Sequence, residues 1–133
     1  MKLISTLNFK GGVGKTTVTW LLARYLVERQ EKKVLVLDAD PQMSLTTAVE
    51  LLEVGIFEER FNNWYKEVKE KKANLYQLLL QYGQSGSIST TESPFYIHRP
   101  NLYLLPSDEE IYWYDLEAPK AQDLRGFMGS LLK

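Results

Sequence analysis

Apolar residues fall along this chain in short continuous runs and in helical stripes, with few stretches lacking either pattern. The chain opens on an apolar run, residues 1–7, containing Leu3, Ile4 and Leu7. This run predicts a first strand, central in its sheet because both faces are apolar. After a Gly-rich loop, Leu21, Leu22, Tyr25 and Leu26 recur at helical spacing and predict a helix over residues 16 to about 30. The polar turn Glu31-Lys32-Lys33 leads into Val34-Leu35-Val36-Leu37, a second buried strand rich in β-formers. Two apolar strands joined by one helix form a βαβ unit, which predicts parallel strands with a right-handed crossover.

Further along, residues 43–52 read as a helix capped by Ser44, with a break at Val54-Gly55. A longer helix is predicted over residues 57–72. Its aromatic stripe of Phe57, Phe61, Trp64 and Tyr65 with Val68 suits a core or a subunit contact, and its Lys and Glu residues suit a solvated face. Asn74 is placed to cap a helix over residues 75–81, with Gly83 as its stop. Residues 84–93, rich in Gly, Ser and Thr, predict a mobile loop. Tyr96-Ile97 predicts a short strand, and residues 101–107 a third buried strand stopped by Pro106. Ser107 or Asp108 would cap a helix through Leu116. Pro119 would start a last amphipathic helix bearing Leu124, Phe127, Met128, Leu131 and Leu132. Alternation of strands with helices makes the fold class α/β, with a mostly parallel sheet between two layers of helices.

The loop after the first run reads Asn8-Phe9-Lys10-Gly11-Gly12-Val13-Gly14-Lys15-Thr16-Thr17. Strand, Gly-rich loop, helix is the context of a phosphate-binding loop. Glycines let the backbone turn tightly and aim successive N–H groups inward. The helix that starts there adds its own N–H groups and positive dipole end. On this reading Gly12, Val13, Gly14 and Lys15 present backbone N–H groups to phosphates, and the Lys15 ammonium meets the β/γ-phosphates. The Thr16 hydroxyl ligates Mg²⁺, and Thr17 reaches the α-phosphate.

A second constellation follows the strand at residues 34–37: Asp38-Ala39-Asp40-Pro41-Gln42. Ligands of a parallel sheet sit beyond the carboxyl ends of its strands, so both carboxylates are predicted at the same edge as the loop. Carboxylates beside a triphosphate repel it unless a cation lies between, and Mg²⁺ with its water shell suits that place.

Composition narrows the field only modestly. At 133 residues, the chain holds at most one small domain. A net charge of −1 shows no basic nucleic-acid footprint in this stretch. Cysteine is absent, so there is neither a disulfide framework nor thiol chemistry, which fits a reducing, cytoplasmic setting. His98 is the single histidine and reads as a surface residue rather than a metal ligand. The opening run is not a signal peptide, and no stretch approaches the roughly 18 apolar residues of a membrane span.

The loop departs from the general phosphate-binding pattern, because Phe9 stands where the first glycine belongs and an extra lysine, Lys10, stands inside the loop. Lys-Gly-Gly-Val-Gly-Lys-Thr-Thr resembles the deviant Walker A loop of the ParA/MinD family of ATPases. Asp-Ala-Asp-Pro-Gln is similar to the switch I segment of its ParA-like members, and Leu-Leu-Pro-Ser at residues 104–107 to the end of a family strand. The resemblance implies a P-loop fold, ATP or ADP with Mg²⁺, and hydrolysis of ATP. It implies a homodimer that sandwiches two nucleotides, with Lys10 reaching the partner's site. It places Asp38 near the γ-phosphate and the attacking water and makes Asp40 similar to a Mg²⁺-linked aspartate, with the division between the two left open. The expected catalytic residues are Lys10, Lys15 and Asp38. The expected nucleotide-binding residues are Gly11, Gly12, Val13, Gly14, Lys15, Thr16 and Thr17, and the expected metal residues Thr16 and Asp40.

The same resemblance implies a stimulating partner protein of ParB-like or McdB-like kind, and cargo such as a plasmid, a chromosome or, as for McdA relatives, a carboxysome. It also implies binding to nucleoid DNA through a later part of the domain. Residues 1–133 read as the N-terminal portion of one such domain, with the Walker B strand and C-terminal half not present. Three alternatives share the loop: a MinD-like membrane-associated regulator, a metabolic ATPase such as a nitrogenase-reductase-like enzyme or a biotin-synthesis ligase, and a non-catalytic module that pairs with intact relatives.

Overall fold

The structure is a computed structural model, and it describes residues 2–6, 12–50, 58–88, 96–112 and 124–131. The elements in chain order are α1 (Lys15–Glu28), β1 (Val34–Leu37), α2 (Ser44–Val49), α3 (Glu58–Glu70), α4 (Leu75–Ser85), β2 (Tyr96–Arg99), β3 (Leu102–Leu105) and α5 (Leu124–Leu131). The three strands form one sheet in the order β1-β3-β2. β1 and β3 are parallel, with Val34 opposite Leu102 and Leu37 opposite Leu105. β2 and β3 are antiparallel, with an irregularity between Ile97 and Arg99. The connection turns at Pro100-Asn101, where Asn101 takes a left-handed φ of 66° that its short polar side chain tolerates.

Side chains alternate along β1, and the sheet uses both faces. Val34 and Val36 join Leu102 and Leu104 against Trp20, Ala23 and Val27 of α1 and Leu45 and Val49 of α2. Leu35 and Leu37 join Leu105 on the other face, against Leu75, Leu78, Leu79 and Tyr82 of α4 and Phe127 of α5. The Tyr82 and Phe127 rings meet edge to face, with centroids 5.6 Å apart. Helices on both faces of a sheet with parallel strands give the three-layer α/β arrangement that the residue pattern predicts. The charge pair Arg99–Glu28, at 2.6 Å, ties the end of β2 to the end of α1.

The opening run departs from expectation. Residues 2–6 form no strand, and Leu3 and Ile4 are 57% and 60% exposed. Apolar character licenses a buried strand, but a strand exists only where neighbours accept its N–H and C=O groups. The hydrogen-bonded neighbours here are β1, β3 and β2, and none of them pairs with residues 2–6. The predicted parallel partner of β1 is therefore replaced by β3. Met1 and Leu7 lie outside the described residues.

The helix ends also differ in instructive ways. α1 stops at Glu28, and its C-cap Arg29 closes on Tyr25 O. α2 starts at Ser44, so Ser44 is its first helical residue and not its cap; the N-cap position is Met43, at a left-handed φ of 52°. α4 runs through Gly83 and ends only at Gly86, whose φ of 67° is the left-handed C-terminal signature. Packing along the sheet outweighs the small cost of a mid-helix glycine. The Asn74 cap is as predicted: its side chain accepts from Gln77 N. In α3, the Phe61 and Tyr65 rings stack, the Trp64 ring packs on both at a tilt, and Val68 is fully buried. Gln84 and Ser85 of the predicted 84–93 loop belong to α4, while Phe57, the start of the predicted last helix and residues 89–93 lie outside the described residues.

Candidate functional site

Two segments converge at one edge of the sheet. α1 follows the loop and is joined to β1 by a short turn, in which Lys32 N donates to Leu26 O. Packed on β1 through Trp20 and Ala23, the helix runs back against the strand. Its first turn therefore lies toward the carboxyl end of β1, where Asp38 to Gln42 leave the sheet.

The loop itself is shaped by its glycines. Gly12 and Gly14 adopt φ of 70° and 81°, in the left-handed region. A Cβ at either would meet nothing within 4 Å, so glycine is required there by backbone conformation and not by crowding. Gly14 is the N-cap of α1 and Lys15 its first residue, with Thr16 and Thr17 completing the first turn. No side chain caps this helix start, and its first turn carries no acidic residue. The first intrahelical bond runs from Val18 N to Gly14 O, so the N–H groups ahead of it point outward along the axis. A helix start of this kind fits an anion with several oxygens. Thr19 Oγ1 donates back to Lys15 O at 2.8 Å and stiffens the first turn. Lys15 and Thr16 are half-buried, and Val13 and Thr17 are exposed. Lys10 and Gly11 lie outside the described residues.

The two aspartates occupy different surroundings. Asp38 is 3% exposed. Its Oδ2 accepts from both Thr46 N and Thr46 Oγ1 at 2.7 Å, and its Oδ1 from Asp40 N at 3.1 Å. Thr46 is in the first turn of α2, so the Asp38 carboxylate takes the capping role that sequence reading gives to Ser44. Burial pushes the Asp38 carboxyl above the usual carboxylate range; the Thr46 and Asp40 hydrogen bonds pull it down, and the nearby Asp40 charge adds to the rise. Asp40, by contrast, is half-buried, and its Oδ1 accepts from the local Gln42 N at 3.0 Å. The carboxylate expected beside the attacking water is thus turned into the start of α2, and the one expected beside the metal is the more accessible.

Residues 106–108 pass the same edge at the end of β3 and carry contacts that sequence reading does not foresee. Ser107, fully buried, donates from Oγ to Asp40 O at 2.7 Å and from N to Thr46 Oγ1 at 3.1 Å. Asp108, also buried, accepts from Asn74 Nδ2 at 2.7 Å and lies 3.5 Å from Lys69 Nζ. Tyr65 OH donates to Ser107 O. Burial and the Asp108 charge push the Tyr65 hydroxyl pKa upward, so it stays a donor. No spacing rule joins positions 38, 46 and 107; the one visible signal is the group of polar residues following an apolar strand.

Among the described residues, no helix is long and apolar enough to cross a membrane. A family model described as an AAA domain matches residues 1–133. A relative carrying the name replication protein A, from Rhizobium rhizogenes, is 31% identical over 121 residues, which are 91% of this chain and 26% of that protein. The virulence plasmid ParA family protein pGP5-D of Chlamydia psittaci is 45% identical over 49 residues, 37% of this chain and 19% of that protein. Among solved structures, a plasmid partition protein from Borrelia burgdorferi superposes with a TM-score of 0.65 at 25% identity, over 96% of this chain and 49% of that one. The chain thus spans about a quarter of the curated relatives it matches along most of its length. With the loop geometry, the switch-like aspartates and a match across its whole length, the chain belongs to the AAA domain family, in its ParA/MinD-like P-loop branch.

Proposed function

We propose that this chain supplies the nucleotide-binding part of a ParA-type partition ATPase. The observation that carries the reading is the loop of left-handed Gly12 and Gly14 running into the uncapped start of α1, with Lys15 as its first residue. ATP or ADP binds with its phosphates over residues 11–17. The Lys15 ammonium balances the β/γ charge, and the backbone N–H groups of Gly12 to Lys15 orient the phosphate oxygens. Mg²⁺, if bound, would supply positive charge against that developing on the phosphate oxygens. The Thr16 hydroxyl fits a ligand role, and the accessible Asp40 fits a contact with the ion or its water shell. Asp38 acts from behind, holding the 38–42 segment against α2. Water oxygen bonds to the γ-phosphorus as the bond from phosphorus to the ADP oxygen breaks, giving ADP, inorganic phosphate and a proton released to solvent.

In the full-length protein, the ATP-bound form is a homodimer in which Lys10 of each subunit serves its twin's nucleotide. A ParB-like or McdB-like partner stimulates turnover, and nucleoid DNA, reached through parts beyond residues 1–133, is the track. Plasmid relatives favour a plasmid or chromosome partition complex as cargo over a carboxysome. The setting is cytoplasmic and nucleoid-associated.

The test is equilibrium binding of labelled ATP with Mg²⁺ to the full-length protein and to its Lys15→Ala variant. Loss of at least about tenfold in affinity is expected, the scale of one lost charge-assisted phosphate contact. Equal binding by the two proteins would refute the reading.

A further inference from the structure

We propose that Ser107, at the end of β3, is a positioning residue for Asp40. The inference rests on the ATPase reading above and adds to it a residue outside both the loop and the 38–42 segment.

Ser107 grips the aspartate segment at two points. Its Oγ donates to the main-chain carbonyl of Asp40, and its N–H donates to Thr46 Oγ1, which in turn donates to the Asp38 carboxylate. Ser107 thus clasps Asp38, Asp40 and Thr46 from far along the chain, and the clasp hangs on the middle strand of the sheet. β3 is paired on both edges, to β1 and to β2, so it is the least displaceable support at this edge. On its outer side, Ser107 O is itself held by Tyr65 OH from α3.

The hydroxyl is not needed merely to satisfy a buried carbonyl. Asp40 O already accepts from Met43 N at 2.8 Å, the bond that closes the turn over residues 40–43. The Ser107 bond is therefore a second one on the same oxygen. What it adds is orientation: it fixes the plane of the Asp40 peptide against the sheet, while Asp38 Oδ1 fixes the neighbouring N–H. With both sides of its main chain held, by Ser107 at its carbonyl and by Asp38 at its N–H, the Asp40 side chain leaves from a defined point. Without the hydroxyl, the turn is still closed by Met43 and Gln42, but it is free to shift as a unit. Small displacements of a group acting on a reacting centre cost rate steeply and binding little.

The experiment uses the full-length protein and compares Ser107→Ala and Ser107→Cys with the parent. The cysteine keeps the packing and weakens the donor, so it carries the test if the alanine variant does not fold. Three quantities are read: the dissociation constant for ATP with Mg²⁺, kcat, and KM for ATP. The expected result is kcat lowered about tenfold in either variant, with ATP affinity and KM within about twofold of the parent. Wild-type kcat in a folded variant overturns the proposal. So does a loss of ATP affinity equal to the loss of kcat, because that marks a general structural role. Lys15→Ala is assayed alongside. If it binds ATP as the parent does, the ATPase reading falls and this proposal falls with it. If it loses binding while Ser107→Cys keeps full kcat, only the positioning role falls.

Discussion

At the scale of single residues, the fold relies on a few polar side chains that each serve two elements. Asn74 is the clearest. Its Oδ1 caps α4 by accepting from Gln77 N, and its Nδ2 donates to the buried carboxylate of Asp108. Replacement by Ala removes the cap and leaves Asp108 one donor short. A lost cap costs about 1 kcal/mol, and a buried acceptor left short costs about 1–3 kcal/mol more. Asn74→Ala is therefore expected to lower stability by about 2–4 kcal/mol in urea unfolding, and Asn74→Asp by at least as much, because it sets two carboxylates together. A loss under about 1 kcal/mol in both would contradict the dual role. The cap was legible in the sequence, because an Asn directly before an apolar helical run satisfies a local rule. The Asp108 bond was not, because it joins positions 34 apart. The same contrast separates Gly14, foreseen from the loop pattern, from Thr46, whose hydroxyl has meaning only once α2 is folded against the end of β1.

At the scale of elements, the segments that match their sequence reading are those whose burial pattern and pairing agree. Residues 34–37 form the predicted strand because four apolar β-formers lie between a polar turn and a proline-stopped acidic segment, and β3 pairs with them throughout. Residues 2–6, in which only Leu3 and Ile4 are apolar, form no strand, and none of β1, β2 and β3 pairs with them. α4 outran its predicted stop at Gly83 because Leu75, Leu78 and Tyr82 pack it onto Leu105 and Phe127, and a packed face sustains a helix past one poor residue. This makes Leu78, 1% exposed, the sensitive point of that layer. Leu78→Ala should cost about 2–5 kcal/mol through lost burial and the cavity left behind. Denaturant titration should show a lower midpoint with an unchanged slope. A shift below about 1 kcal/mol would mean that α4 is not part of the cooperative core.

At the scale of the whole molecule, two candidate site features sit on one edge by topology. A helix that runs back along β1 brings its start to the strand's carboxyl end, so the loop glycines and Asp40 share a neighbourhood although some 25 residues separate them. Leu3, Ile4, Val18, Leu21 and Tyr25 are exposed apolar residues. The dimer prediction belongs here. In the full-length protein, Lys10→Ala should leave ADP binding by the monomer within about twofold, while ATP no longer produces a sedimenting dimer, because the lost ammonium would otherwise balance charge across the subunit boundary. A dimer that persists with ATP would show that Lys10 acts within its own subunit or not at all. Lys10 itself lies outside the described residues, and the prediction rests on its place in the loop.

The sequence by itself determined the helix that begins at the Gly-rich loop, the strand at residues 34–37, the cap of α4 and the family of the loop. Each of these leaves a signal in residues close in the chain, where spacing and backbone preference act directly, although the strand also needs β3 to pair with it. Only the tertiary structure decided that Asp38 is turned inward to cap α2, that Asp40 is the accessible carboxylate, that Ser107 links the two, and that residues 2–6 stay out of the sheet. Those outcomes depend on which distant donors and strands arrive beside a residue, and burial and hydrogen-bond satisfaction are properties of the assembled neighbourhood rather than of any local stretch.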